Sequence, residues 1–178
     1  MDDTPTMTPP PKLLIRRAEP RDDEALGELL IESFLTAYAR ELPWVTYGEE
    51  RRKELRDCAT KREEGIVFVA ELDGELAGTV LVYPPGAPHS EAWLPNTADL
   101  RQLAVAPKFF GKKLSEPLLD AAEAAAWAMG VERVSLHVRR QAKGVCRMYE
   151  RRGYVRAPEG DLAFPEVDLA AFVLSRPT

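Results

Sequence analysis

The order of apolar patterns along the chain predicts a mixed α/β (α+β) domain, one sheet of about seven strands with helices on both faces. Three observations predict it. The stretch Asp99 to Gly130 reads as a strand, a short loop with one glycine and two lysines, and a long helix. Asp73-Gly74 joins two runs rich in β-formers, a hairpin signal. Helical patterns alternate with strand patterns rather than forming a separate block. Residues 1–12 contain Pro5, Pro9, Pro10 and Pro11 and few apolar side chains, so they read as a disordered or extended tail before a domain over residues 13–178.

Leu13, Leu14 and Ile15 open a short strand. Glu19-Pro20-Arg21-Asp22-Asp23 is a strand-to-helix turn with acids where the helix dipole favours them. Leu26, Leu29, Leu30 and Phe34 form an apolar stripe at helical spacing, and Pro43 ends that element. The Glu- and Arg-rich segment from Gly48 to Lys61 reads as one second helix, solvated on most faces. Ile66 to Leu72 and Leu76 to Tyr83 are the hairpin strands, closed off by Pro84-Pro85-Gly86 and a loop to Asn96. The strand from Ala98 to Val105 stops at Pro107, and the helix from Leu114 to Met129 ends at a C-cap glycine, Gly130. Val131 to Val138 is a strand with Val134, Leu136 and Val138 on one face. A helix from Lys143 to Arg152 stops at Gly153, and Tyr154 to Arg156 with Ala170 to Leu174 close the sheet around a long Pro-containing loop.

The chain has 178 residues, 45% of them apolar and 30% charged, an ordinary globular balance with enough length for a sizeable core. A formal net charge of -5 argues against a dedicated nucleic-acid binder and favours cationic over anionic small partners. Two cysteines, Cys58 and Cys146, give no disulfide framework; with no signal peptide they fit the cytoplasm. No run approaches membrane-spanning length. His89 and His137 show no metal-ligand spacing with the cysteines, so no metal is expected, and His137 reads as a sheet residue. Trp44, Tyr47 and Trp93 read as packing residues near loops.

A loop that delivers backbone amides to a helix N-terminus is an anion site. Here it comprises Phe110, Gly111, Lys112, Lys113, Leu114 and Ser115, preceded by Val105-Ala106-Pro107 and followed by Leu118-Leu119. The stretch resembles the central motif of the GCN5-related N-acetyltransferases, and the likeness extends from Leu13 to Ser175. The resemblance implies a mostly antiparallel sheet and a loop that holds the pyrophosphate of acetyl-CoA. The signature departs at Phe110, at Lys113 in place of a glycine, and at Ser115. Lys112 and Lys113 can add charge-assisted phosphate contacts, whereas Glu116 in the first helical turn would repel them.

Moving an acetyl group from a thioester to an amine requires an amine stripped of its proton, a donor for the oxyanion and a proton for the thiolate. By the same resemblance, Asp99 stands where some members carry a general-base glutamate; the shorter side chain favours a water relay, and the plain alternative is a strand-end aspartate. Leu103 would polarise the acetyl carbonyl through its N–H, and the backbone of Leu103, Ala104 and Val105 would pair with the pantetheine arm. Tyr149, in a helix ending Tyr-x-x-x-Gly-Tyr, matches the tyrosine that protonates the departing sulfur, with packing as the alternative. The asparagine that usually begins this motif is replaced by Ala142. The expectation is an acetyl-CoA-dependent N-acetyltransferase acting by direct attack on a primary amine of a small molecule or peptide. The alternative is a catalytically impaired acyl-CoA-binding or sensor domain of the same fold. Neither nucleic acid nor membrane is expected as a partner, and a homodimer is left open.

Overall fold

A computed structural model describes residues 8–178. The tail assignment for residues 1–7 falls outside the described residues; residues 8–12 are exposed and without regular structure. Eight strands, β1 (Leu13–Arg17), β2 (Ile66–Leu72), β3 (Glu75–Tyr83), β4 (Thr97–Val105), β5 (Arg133–Arg139), β6 (Val155–Arg156), β7 (Leu162–Phe164) and β8 (Val167–Ser175), form one sheet. Its order is β1-β2-β3-β4-β5-β8-β6, with β7 also paired to β8. Among the described residues five helices flank it: α1 (Asp23–Tyr38), α2 (Glu49–Arg56), α3 (Cys58–Glu64), α4 (Ser115–Ala128) and α5 (Lys143–Arg151). Every pairing is antiparallel except β4 with β5, whose connection is the crossover helix α4, as a parallel pair requires.

The β2–β3 hairpin turns through Asp73 and Gly74 at φ 52 and φ 80, the left-handed pair that a two-residue hairpin turn demands. Two expectations need correction. The charged segment after Gly48 is two helices, not one: the chain bends at Asp57, whose side chain accepts a hydrogen bond from the Thr60 N–H at 3.3 Å and caps α3. The Pro-containing loop holds a strand, β7, which hairpins onto an earlier-starting β8 and brings the expected sheet of about seven strands to eight among the described residues.

Leu118, Leu119, Ala122 and Ala126 of α4 pack on Ala98 and Leu100 of β4 and on Val134, Leu136 and Val138 of β5. Strand alternation then turns Ser135, His137 and Arg139 to the opposite face, the face covered by α1 and α2. There Leu29, Leu30 and Ile31 of α1 pack with Leu55 of α2 and Ala104 of β4.

The sheet departs from regularity where β4 leaves its neighbours. Gln102 takes φ 54, and the β3–β4 register slips between the Thr79–Ala104 and Leu81–Arg101 pairs, a β-bulge. On its other side, β4 pairs with β5 only over Thr97–Asp99 and Arg133–Ser135. Beyond Asp99 the two strands diverge.

Candidate active site

The divergence of β4 and β5 opens a cleft of about 760 Å³, walled by Asp99 to Leu103 on one bank and Leu136 to Arg139 on the other. Tyr38 of α1, Tyr149 of α5 and the β7–β8 hairpin complete it.

Asp99 lies at the vertex, where the last parallel pair joins it to Ser135. It is fully buried. One carboxylate oxygen accepts the Glu91 N–H at 2.7 Å; the other has no partner among the described residues. Loss of water raises its pKa to about 7, against the smaller opposing pull of the Glu91 N–H. Three further buried polar atoms nearby also lack a hydrogen-bond partner among the described residues: Ser135 Oγ, Trp93 Nε1 and His137 Nδ1, the last 3.7 Å from a Glu91 carboxylate oxygen. The other imidazole nitrogen of His137 meets the Gly160 carbonyl oxygen at 2.8 Å, and the ring lies 5.3 Å from that of Trp93. His137 is thus a sheet residue, as its pattern indicates, and also lines the cleft.

Tyr149 reaches the cleft from the α4 side of the sheet, its ring edge-on to Tyr154 at 5.3 Å. Burial pushes its phenol well above the ordinary value, so the hydroxyl keeps its proton across the physiological range. Asp99 and Tyr149 therefore border one cleft. Ala142 is the buried residue that opens α5 and makes no side-chain cap.

Of the three strand residues expected to meet the pantetheine arm, Leu103 lines the cleft. The Ala104 side chain is buried against the α1 cluster, and Val105 packs beside Leu114 and Phe109. Their side chains point away, as a role confined to backbone groups requires.

The loop after β4 keeps the bend that its sequence puts in question. Gly111 has φ 82, and Lys113, in the glycine position, adopts φ 58. The amides of Gly111, Lys113, Leu114 and Ser115 donate to no backbone carbonyl among the described residues. Free amides around left-handed residues at a helix start form an anion nest. Phe110, Lys112 and Lys113 are exposed, Leu114 is buried beneath the loop, and Ser115 begins α4. Glu116, the expected source of repulsion, is paired with Arg152 at 2.7 Å. This donor set suits a diphosphate such as that of coenzyme A.

A family model described as the acetyltransferase (GNAT) family matches residues 24–154. The chain belongs to this family. Among curated proteins none matches. Solved structures share the GNAT fold over nearly the whole chain. The PaiA N-acetyltransferase from Thermoplasma acidophilum, in complex with coenzyme A, is 21% identical with a TM-score of 0.66, covering 90% of this chain and 98% of its own. A GNAT acetyltransferase from Staphylococcus aureus is 16% identical with a TM-score of 0.69, covering 92% and 99%. The ribosomal-protein-S18-alanine N-acetyltransferase from Escherichia coli is 17% identical with a TM-score of 0.63, covering 92% and 94%. At these identities the likeness speaks to the fold. Among the described residues of this GNAT protein, no helix is long and apolar enough to cross a membrane and no side-chain group is arranged to hold a metal ion.

Several residues in or beside the cleft escape a reading of the sequence: Glu91, Arg139, Tyr38 and Arg51 in its wall, and Ser135 next to Asp99. The polar alternation Ser135, His137, Arg139 opposite the apolar face of β5 is the one local signal for them. Trp93 packs against Gly160, and Tyr47 is buried in the α1 cluster while also lining the cleft, whereas Trp44 is 70% exposed at the cleft rim.

Proposed function

We propose that this GNAT protein is an acetyl-CoA-dependent N-acetyltransferase that acts by direct attack on a primary amine of a small molecule or peptide. The observation that carries this reading is a water-stripped carboxylate with a free oxygen, Asp99, at the vertex of a cleft bordered by the protonated phenol of Tyr149. An ammonium with pKa about 10 must lose its proton before it can attack. Asp99 takes that proton, directly or through a water held with Ser135 and His137. The N–C bond then forms as the C–S bond breaks, the Tyr149 hydroxyl gives its proton to the sulfur, and the second proton on the attacking nitrogen is lost through water, which restores the phenol. The Leu103 N–H would polarise the acetyl oxygen. The Gly111–Ser115 amides, with Lys112 and Lys113, would hold the diphosphate of the co-substrate. The proposed compartment is the cytoplasm, in keeping with two free thiols.

The test is thiol release from acetyl-CoA across a panel of primary amines. Asp99→Asn is expected to lower kcat/KM by ~10²–10⁴, the usual worth of a positioned base. A base must be deprotonated, so wild-type kcat/KM rises with pH through about 7, and this limb disappears in Asp99→Asn. Tyr149→Phe is expected to lower kcat with little change in acetyl-CoA affinity; unaltered kcat would remove the acid role.

A second reading, an acyl-CoA-binding sensor of the same fold, is favoured by Lys113 in the glycine position and by Ala142 at the start of α5. Coenzyme A binding by calorimetry without turnover of any amine would support it.

A further inference from the structure

The α1 side of the cleft holds a cation, Arg139, with no carboxylate partner among the described residues. Arg139 points away from the α4 core, on the face of β5 that also carries Ser135 and His137. Its guanidinium lies over the Tyr38 ring, 5.2 Å from the centroid. Among the described residues it has no carboxylate partner. The other arginines of the cleft do: Arg51 pairs with Glu54 and Arg101 with Glu91, and the adjacent Arg140 holds both Asp161 and Asp168. The Tyr38 and Tyr47 hydroxyls also approach the guanidinium and hold it in place, and the N–H groups they leave, with no carboxylate on them, suit a planar anion. Glu166, also in the cleft wall, is exposed at the β7–β8 turn.

The opposite end of the same face has the reverse character. Asp99, Glu91, the Ser135 Oγ that lacks a hydrogen-bond partner, and His137 Nδ1, 3.7 Å from a Glu91 carboxylate oxygen, gather there, a setting for an amine. Asp99 is in register with Ser135, and Arg139 lies four residues further along β5. At ~3.3 Å per residue the two ends are about 13 Å apart at the backbone, a span that the arginine side chain shortens. Resting on the acetyltransferase reading above, we propose that the acceptor is a small amino acid whose reacting amine and carboxylate are separated by several bonds, and that Arg139 binds the carboxylate. The ligand bridges the two poles, amine toward Asp99 and carboxylate on the guanidinium.

The experiment is calorimetry on the coenzyme A-loaded protein with 5-aminovalerate and its neutral analogue 5-aminovaleramide. Wild type is expected to bind the carboxylate about tenfold to a hundredfold more tightly, the worth of one charge-assisted pair. Arg139→Gln, which keeps the stem and loses the charge, is expected to bring the ratio close to one; Arg139→Lys is expected to retain part of it. Coenzyme A affinity and the thermal midpoint of both variants show that the fold persists. Equal binding of the two probes by wild type, a preference that survives in Arg139→Gln, or no binding of either probe would overturn the proposal. Acetyl transfer is scored separately by thiol release over uncharged alkylamines. Turnover there without carboxylate preference would remove the Arg139 assignment and leave the acetyltransferase reading standing.

Discussion

Lys113 is a residue whose backbone and side chain serve different ends. Its φ of 58 lies in the left-handed region, which a side chain disfavours by about 1 kcal/mol or more. The loop nonetheless keeps the bend that leaves four amides free. The exposed ammonium, beside that of Lys112, offers long-range attraction to phosphate in return. Replacing both lysines with alanine is therefore expected to weaken coenzyme A binding and to flatten its dependence on salt. Titrations at two ionic strengths check this; unchanged affinity and slope would mean that both side chains point away from the ligand. Gly160 is constrained in a different way. A Cβ there would stand 2.2 Å from the Trp93 ring, which in turn stacks beside His137, whose Nε2 meets the Gly160 carbonyl oxygen. Gly160→Ala is expected to change Trp fluorescence and to lower turnover together, because the ring or the turn must move.

Between elements, the joint that sets the position of Tyr149 is polar. Arg152, just past α5, reaches Glu116, Asp120 and Glu123 of α4, and the Tyr154 hydroxyl donates to Glu123 at 3.0 Å. The Arg152 and Glu123 side chains are both largely buried, so removing the arginine leaves a poorly solvated acid. Breaking a fully buried pair costs ~3–5 kcal/mol. For this partly solvated cluster Arg152→Ala is expected to cost about 1–3 kcal/mol in urea unfolding, with kcat lowered through displacement of α5. Such joints are invisible to pattern reading, whereas locally encoded elements are legible. The Asp73-Gly74 hairpin, the α4 stripe and its glycine stop, and the β5 alternation follow from chemistry within a few residues. The break at Asp57 is hidden because the surrounding charged run has almost no apolar stripe to mark a change of direction. The three-residue β7 exists only through its pairing with β8. Asp99, Tyr149 and the phosphate loop are legible through family likeness. Glu91, Ser135 and Arg139 are not, because their convergence depends on where β4 parts from β5 and on a loop folded back over the strand.

For the molecule as a whole, a buried carboxylate that titrates near neutrality couples folding to pH. The folded pKa of Asp99 is raised above its unfolded value, so between about pH 4 and pH 7 the native state binds more protons than the unfolded chain. Its contribution is unfavourable once the unfolded carboxyl ionises, and stability drawn from this residue falls as pH rises through that window. Asp99→Asn is expected to remove this residue's share of the slope, as paired urea titrations at pH 5 and pH 8 would show. The sheet carries a second molecule-wide property. Its two halves, β1 to β4 and β5 to β8, share a seam of three residue pairs at one end and none along the rest. A ligand seated in the open part becomes the missing stitch. Amide exchange is expected to slow on both margins of the rift at once when coenzyme A is added, and the thermal midpoint to shift upward with its concentration.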